Sequence, residues 1–412
     1  MRPVRPTRET TRSGTEFIAL VALTTSLVAM SIDTMLPALG TMARDLGVRE
    51  TNDRQLILTA FLAGLAVGQL LYGPISDSIG RKPALYSGIV LFVGAALICA
   101  TTSNFSVLLA ARAVQGLGAA SARVVSVALV RDLHAGRAMA RVMSFVSAIF
   151  ILVPIIAPSV GQAVLLLANW RAIFWGFAVI ALLDFLWLAR RQPETLPPSR
   201  RAPLSPGPVV RAVAETFKNR ITLGYMLASG IIFGAFINYL TTSQQIFQEQ
   251  YQVGRWFPVC FGALAFSIGL ASFTNGKLVM RYGMRRLSKW ALCVDCVLAV
   301  AFLGVALQQQ GHPPLPVFMG FMLLCFFCNG LLFGNYNARA MEPMGHIAGA
   351  AAAVVGSVSS LVSLALGTLF GRAYDGTIVP LVSGFAVLGI AALGVTEYAE
   401  RGAMEILAEP TE

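Results

Sequence analysis

Charge is what this sequence has least of. Asp, Glu, Lys and Arg together make up 12% of its 412 residues, against about 25% in an ordinary soluble domain. So few charges cannot cover a water-facing surface, which excludes a soluble enzyme. Hydrophobic residues reach 56%, which excludes a disordered chain. Segments that alternate apolar and polar residues are also missing, so a membrane β-barrel is excluded. No P-loop lysine pattern for ATP is present, and the expected energy source is an ion gradient rather than a bound cofactor. Acidic residues number 20 against 31 Lys and Arg, a formal charge of +11. The basic residues are scattered between apolar runs, so they read as loop charges of a membrane protein and not as a nucleic-acid surface.

A membrane-spanning helix needs about 20 apolar residues. Twelve continuous runs qualify, at 16–39, 54–73, 83–102, 106–130, 140–167, 170–189, 221–247, 256–280, 288–308, 314–337, 346–371 and 377–398. The first follows a basic leader (Arg2, Arg5, Arg8, Arg12) and carries an internal aspartate, so it reads as an uncleaved span. With both termini cytoplasmic, most Lys and Arg fall inside. The outside keeps Arg44, Arg49, Arg54, Arg171, Arg255 and Arg372, while Arg112 and Arg123 lie within a span.

Residues 190–220 hold six prolines and seven basic residues against two acidic ones. They read as a cytoplasmic linker with a short amphipathic helix over 208–218 on the membrane surface. The linker separates six spans in 1–189 from six in 221–412. A repeat supports that division. The loop after span 2 (Gly73, Asp77, Gly80, Arg81, Lys82) superposes on the loop after span 8 at an offset of 203, placing Gly73 on Gly276, Gly80 on Gly283 and Lys82 on Arg285.

GPISDSIGRKP, from Gly73, resembles the loop signature of major facilitator transporters. LAARAVQGLGAA, Leu109 to Ala120, resembles their second signature, with Arg112, Gln115 and Gly116 in place. SIDTMLPALGTMARDL in span 1 and VRDL at 130–133 are similar to the bicyclomycin/chloramphenicol-resistance branch of the drug/proton antiporters. The resemblance implies an all-α integral membrane protein of twelve transmembrane helices, folded as two six-helix bundles related by a pseudo-two-fold axis. It implies a proton-coupled efflux antiporter of the bacterial inner membrane that works as a monomer on a lipophilic drug or metabolite. Its partners are protons, the substrate and the bilayer.

Asp33 lies about six residues from the outer end of span 1, roughly 9 Å deep. A carboxylate inside a bilayer costs on the order of 2.5–3.5 kcal/mol, so it is expected to face a cavity or a partner. By the resemblance it is the proton-coupling acid and also meets substrate. Arg112 lies at a matching depth in span 4, where it can pair with Asp33 or bond to carbonyls. Arg112, Gln115, Ala119 and Arg123 share one face of span 4, since eleven residues make three turns plus about 20°. Arg123 puts a second cation on the expected cavity face and argues against a purely cationic substrate. An uptake symporter or facilitator for an organic anion is the alternative function.

The inner loop is read as a gate. Gly73 and Gly80 allow its tight turn. By the resemblance, Asp77 accepts bonds from the N-terminus of span 11 near Ala348, and Arg81 joins it to Asp132 at the end of span 4. Pro154, Pro158 and Gly161 bend span 5 where it seals the two halves. Phe236, Asn238, Tyr239, Asn329, Phe333, Asn335 and Tyr336, in spans 7 and 10, are expected to supply the far cavity wall. Asp184 and Asp295 fall in spans outside the cavity and read as anchoring or paired groups. Cys293, Cys296, Cys325 and Cys328 have zinc-like spacing but lie in apolar spans, where four thiolates are unfavourable, so no metal is expected.

Overall fold

The structure is a computed structural model that describes residues 14–408; the basic leader Arg2, Arg5, Arg8 and Arg12 lies outside the described residues. The first half contains α1 (Gly14–Asp33), α2 (Leu56–Ile79), α3 (Arg81–Thr101), α4 (Phe105–Leu133), α5 (Gly136–Leu167) and α6 (Arg171–Arg191). The second contains α7 (Arg220–Gln244), α8 (Phe257–Tyr282), α9 (Met284–Gln308), α10 (Leu315–Met341), α11 (Ala348–Arg372) and α12 (Val379–Ala408). By length and hydropathy the stretch Leu315–Arg372 is one continuous candidate span. It holds two helices because a 3-10 turn, Glu342–Ile347, interrupts it where Met344 leaves helical geometry. The described residues therefore contain twelve helices long and apolar enough to cross a membrane.

Small residues let these helices approach closely, the usual device where lipid supplies no hydrophobic drive for association. A Cβ on Gly116 of α4 would stand 1.9 Å from the Phe61 carbonyl of α2, and one on Gly64 would stand 1.8 Å from the Ala113 carbonyl. In the second half, Gly230 of α7 and Gly367 of α11 pack against each other's helices in the same way. Large apolar side chains such as Val90, Leu183, Phe273 and Val297 stay on the outer surface, as a lipid-facing belt requires.

The two repeat glycines share a backbone feature. Gly80 has φ +109° and Gly283 has φ +75°, so each inner turn uses a conformation that L side chains rarely adopt. The linker carries a helix, Pro206–Lys218, that rests on α11 and α7 and bonds through Glu215 to His346.

Candidate functional site

Helix α1 stops at Asp33 because Pro37 follows one turn later. Proline has no N–H to offer the Asp33 carbonyl, and its ring obstructs continued helix. The chain makes a turn at Thr34 and Met35, then a 3-10 turn over Leu36–Ala38. Arg112 holds this broken end in place. Its guanidinium donates to the Ser31 carbonyl at 3.0 Å, to the Ile57 carbonyl at 3.2 Å and to Gln115 Oε1 at 2.6 Å. It also lies 4.4 Å from the centre of the Phe61 ring. Fully buried, Arg112 ties α1, α2 and α4 together. No Arg112–Asp33 ion pair forms, since backbone carbonyls and Gln115 already occupy the guanidinium.

Asp33 is 5% exposed and makes no hydrogen bond or ion pair among the described residues. The phenol of Tyr239, from the opposite half, is within electrostatic range of its carboxyl. That hydroxyl is buried without a hydrogen-bond partner. The Tyr239 ring stacks on Phe261 at 5.7 Å and meets Phe326 edge-on at 4.8 Å. Phe236 lies against Phe326 at 5.7 Å and Phe333 at 6.1 Å. An aromatic wall thus faces the broken end of α1. Sequence reasoning identified Phe236, Tyr239 and Phe333 and missed Phe233, Phe261 and Phe326, which ordinary helix-packing phenylalanines resemble in a sequence.

Four expected wall residues point elsewhere. Asn238 precedes Tyr239, about 100° away around the helix, and packs against Gly384 of α12. Asn329 donates to the Cys325 carbonyl at 2.8 Å and reaches Asp295 at 3.5 Å, toward α9. Tyr336 bonds Thr396 at 3.1 Å and meets Tyr225 edge-on, inside the second half. Asn335 pairs with Asn275, joining α10 to α8. The bonds of Asn329, Tyr336 and Asn335 stay within the second half, whereas the buried Asn238 amide has no hydrogen-bond partner among the described residues. Asp184 accepts from Thr24 at 2.9 Å, between α6 and α1.

Arg112, Gln115 and Ala119 are buried, whereas Arg123 is solvent-accessible although the bundle surrounds it. It makes no hydrogen bond or ion pair among the described residues.

At the helix ends that meet the Gly80 turn, Arg81 donates to Asp132 at 2.9 Å, to Asp77 at 2.5 Å and to Ser76 at 2.8 Å. The Asp77 carboxylate turns to Arg81 and not to the N-terminus of α11, although α11 does begin at Ala348. The reason is local: Asp77 and Arg81 stand four residues apart across the glycine turn. Gly73 approaches α11 only by van der Waals contact, 3.8 Å from Ala353 Cβ to the place of a Gly73 Cβ. Glu194 completes the cluster. Its carboxylate accepts from the backbone N–H groups of Arg81 and Lys82, both at 3.0 Å, and so caps α3.

The outer ends are tied across the halves. Arg54 bonds Glu249 and donates to Gln244 at 3.0 Å. Gln55 donates to Gln245 at 2.7 Å and to the Gly371 carbonyl at 3.0 Å. Asn52 donates to the Arg372 and Tyr374 carbonyls, and Arg372 bonds Asp53 at 3.1 Å. This seal escaped sequence reading, although the polar runs NDRQ at 52–55 and QQ at 244–245 were its signal. Pro154 and Pro158 both lie inside α5. Gly161, one turn on, touches the broken end of α1: a Cβ there would stand 1.8 Å from the Thr34 carbonyl.

A profile described as Major Facilitator Superfamily matches residues 21–396. The chain belongs to the major facilitator superfamily. It is therefore a membrane transporter and not an enzyme. It is 34% identical over 365 residues to an uncharacterised MFS-type transporter, YdgK, of Bacillus subtilis, covering 87% of this chain and 90% of that protein. It is 29% identical to a bicyclomycin resistance protein homolog of Haemophilus influenzae, covering 89% and 91%. Multidrug resistance protein D of Escherichia coli is 28% identical, covering 85% and 87%. These names agree with the branch that the span 1 and span 4 motifs resemble. The fold matches the crystal structure of the human organic anion transporter MFSD10, with a TM-score of 0.66 at 20% identity over 94% of this chain and all of that one.

Proposed function

We propose that this major facilitator protein is a proton-coupled antiporter that exports lipophilic small molecules, phenicol-like antibiotics among them, by alternating access. It sits in the bacterial inner membrane as a monomer with both termini in the cytoplasm, an orientation supported by the positive-inside distribution of Lys and Arg. The proton gradient drives it without a further cofactor. The relatives named for bicyclomycin and multidrug resistance support this substrate class.

The observation that carries the proposal is the setting of Asp33. Its carboxyl is buried, without an ion-pair partner, at the broken end of α1 and opposite the unpartnered Tyr239 hydroxyl. An uncompensated carboxylate there is relieved by a proton or by a ligand group, so the two compete for one place. The aromatic wall from Phe236 to Phe333 offers apolar and edge-on contacts to a lipophilic ligand. Arg112 positions the acid by fixing the Ser31 carbonyl. The seal at Arg54 and Glu249 keeps the outside closed until the halves rock. The Arg81 cluster organises the inner loop, and Pro154, Pro158 and Gly161 shape α5 against α1. A proton moving inward contributes about 2.3 kcal/mol per 100 mV.

Drug accumulation in everted vesicles, driven by an imposed proton gradient, tests this reading. Asp33→Asn is expected to abolish the pH-driven component; an unchanged component refutes the assignment. One observation favours a second reading. Arg123 is an accessible cation without a carboxylate partner among the described residues, as an organic-anion symporter or facilitator would use. Counterflow with anionic and cationic tracers separates the two.

A further inference from the structure

At the inner end of the second half, the turn between α8 and α9 opens a cavity of about 590 Å³, walled by Tyr282, Arg285, Arg286, Lys289, Trp290 and Arg339. Several of these cations already have partners. Arg285 lies 2.9 Å from Glu400, Lys289 lies 2.5 Å from Glu397, and Arg339 bonds both Glu400 and Glu342. Arg286 and its neighbour Arg281 differ. Arg286 lies over the Trp290 ring at 6.0 Å, Arg281 lies over Tyr282 at 5.3 Å, and neither has a carboxylate partner among the described residues. Counting Arg281, five cations face three carboxylates around the cavity among the described residues, so these side chains leave it electropositive.

The repeat supplies a second observation. In the first half the equivalent turn, at Gly80, is filled by the Glu194 carboxylate, which accepts two backbone N–H groups of α3. In the second half Gly283 stands at the same place with its own positive φ, and among the described residues no carboxylate is seen to accept from the first N–H groups of α9 as Glu194 does from those of α3. Where one half carries a built-in anion, the other leaves a cavity lined by cations.

The membrane side identifies the kind of anion. Phe273, Lys277 and Met280 share one face of α8 at spacings of four and three residues. Phe273 is 73% exposed and Met280 is 87% exposed. An apolar track therefore runs from the lipid-facing surface up to the cationic cavity, with the amphipathic rings of Tyr282 and Trp290 at the boundary.

We propose that this cavity binds the headgroup of an anionic phospholipid. Its phosphate meets Arg286, whose guanidinium has no carboxylate partner among the described residues, and an acyl chain lies along the Phe273–Met280 face. Basic pockets between transmembrane helices are suited to such headgroups. The cavity is distant from Asp33, and the inference stands apart from the transport reading. Only its assignment to the cytoplasmic leaflet rests on the orientation proposed above.

The test is native mass spectrometry of the purified full chain in detergent, titrated separately with phosphatidylglycerol, cardiolipin and phosphatidylcholine. Competing inorganic phosphate forms a further arm. Anionic lipid is expected to bind more tightly than phosphatidylcholine. Arg286→Gln is expected to weaken anionic lipid about fivefold, matching about 1 kcal/mol per basic residue near a membrane surface. Arg286→Lys is expected to restore most of that loss, which separates a charge effect from misfolding. Phosphatidylcholine binding is expected to be the same in all three proteins. Equal anionic-lipid binding by wild type and Arg286→Gln would overturn the site. Displacement of the lipid by millimolar inorganic phosphate would overturn the lipid assignment in favour of a soluble anion.

Discussion

Arg112 donates to the carbonyl of Ser31 at 3.0 Å, two residues before the helix that carries Asp33 comes to its end. The contact makes Arg112 a positioning residue for the acid rather than its ion-pair partner. It follows that the planar guanidinium matters as much as its charge, because one head group serves Ser31, Ile57 and Gln115 together. Arg112→Lys keeps the charge but cannot reach all three acceptors. It is expected to lower proton-driven transport at least tenfold, close to the effect of Arg112→Gln, and to cost about 1–3 kcal/mol of stability. Near-normal transport by Arg112→Lys in proteoliposomes would show that charge alone suffices.

Gly161 tests the same geometry from α5. A methyl group there meets the Thr34 carbonyl, which is backbone and cannot swing aside. Gly161→Ala is expected to cost about 1–3 kcal/mol and to reduce transport. Gly94→Ala is the control, because nothing lies within 4 Å of its Cβ position. It is expected to be neutral or to stabilise by about 0.5–1 kcal/mol. Thermal unfolding of both variants in the same detergent makes the comparison.

Much of the architecture was legible in the sequence, because a lipid environment demands long apolar helices and the inner-loop glycines repeat in each half. Asp33 stood out as a charge inside an apolar run. The far wall was less legible. Polarity drew Asn238, Asn329 and Tyr336 into the expected site, yet the bonds of Asn329 and Tyr336 lie within the second half, Asn238 packs on Gly384, and the aromatic cluster is built from phenylalanines around Tyr239. Composition cannot tell Phe326, which meets the Tyr239 ring, from a phenylalanine packed elsewhere. The outer seal was hidden for another reason: Arg54 and Glu249 are 195 residues apart, and only the docking of the halves brings them together.

That seal gives a further expectation. Glu249→Gln removes the charge from the Arg54 pair and leaves Gln244 to hold it. Opening toward the outside is expected to become easier, by about fivefold if the pair contributes about 1 kcal/mol at this partly exposed site. The labelling rate of a cysteine placed at Thr34, with a membrane-impermeant maleimide applied from outside, measures it. Arg54→Gln is expected to raise the rate similarly, and the double variant to add little beyond either single one.

At the inner face, Glu194→Gln retains an acceptor for one N–H of α3 but loses the charge at the helix N-terminus. A loss of about 0.5–2 kcal/mol in stability is expected. Hydrogen exchange at Arg81 and Lys82 should quicken relative to the α3 centre.

Everything about coupling converges on one carboxyl group. The most direct measurement imposes a proton gradient, without a membrane potential, on proteoliposomes containing wild type or Asp33→Asn, and follows uptake of a lipophilic drug alongside proton flux. Wild type is expected to move drug against its gradient with a drug-dependent proton flux, and Asp33→Asn to do neither while still exchanging drug for drug. Gradient-driven accumulation with proton flux in Asp33→Asn, equal to wild type, would contradict Asp33 as the coupling acid.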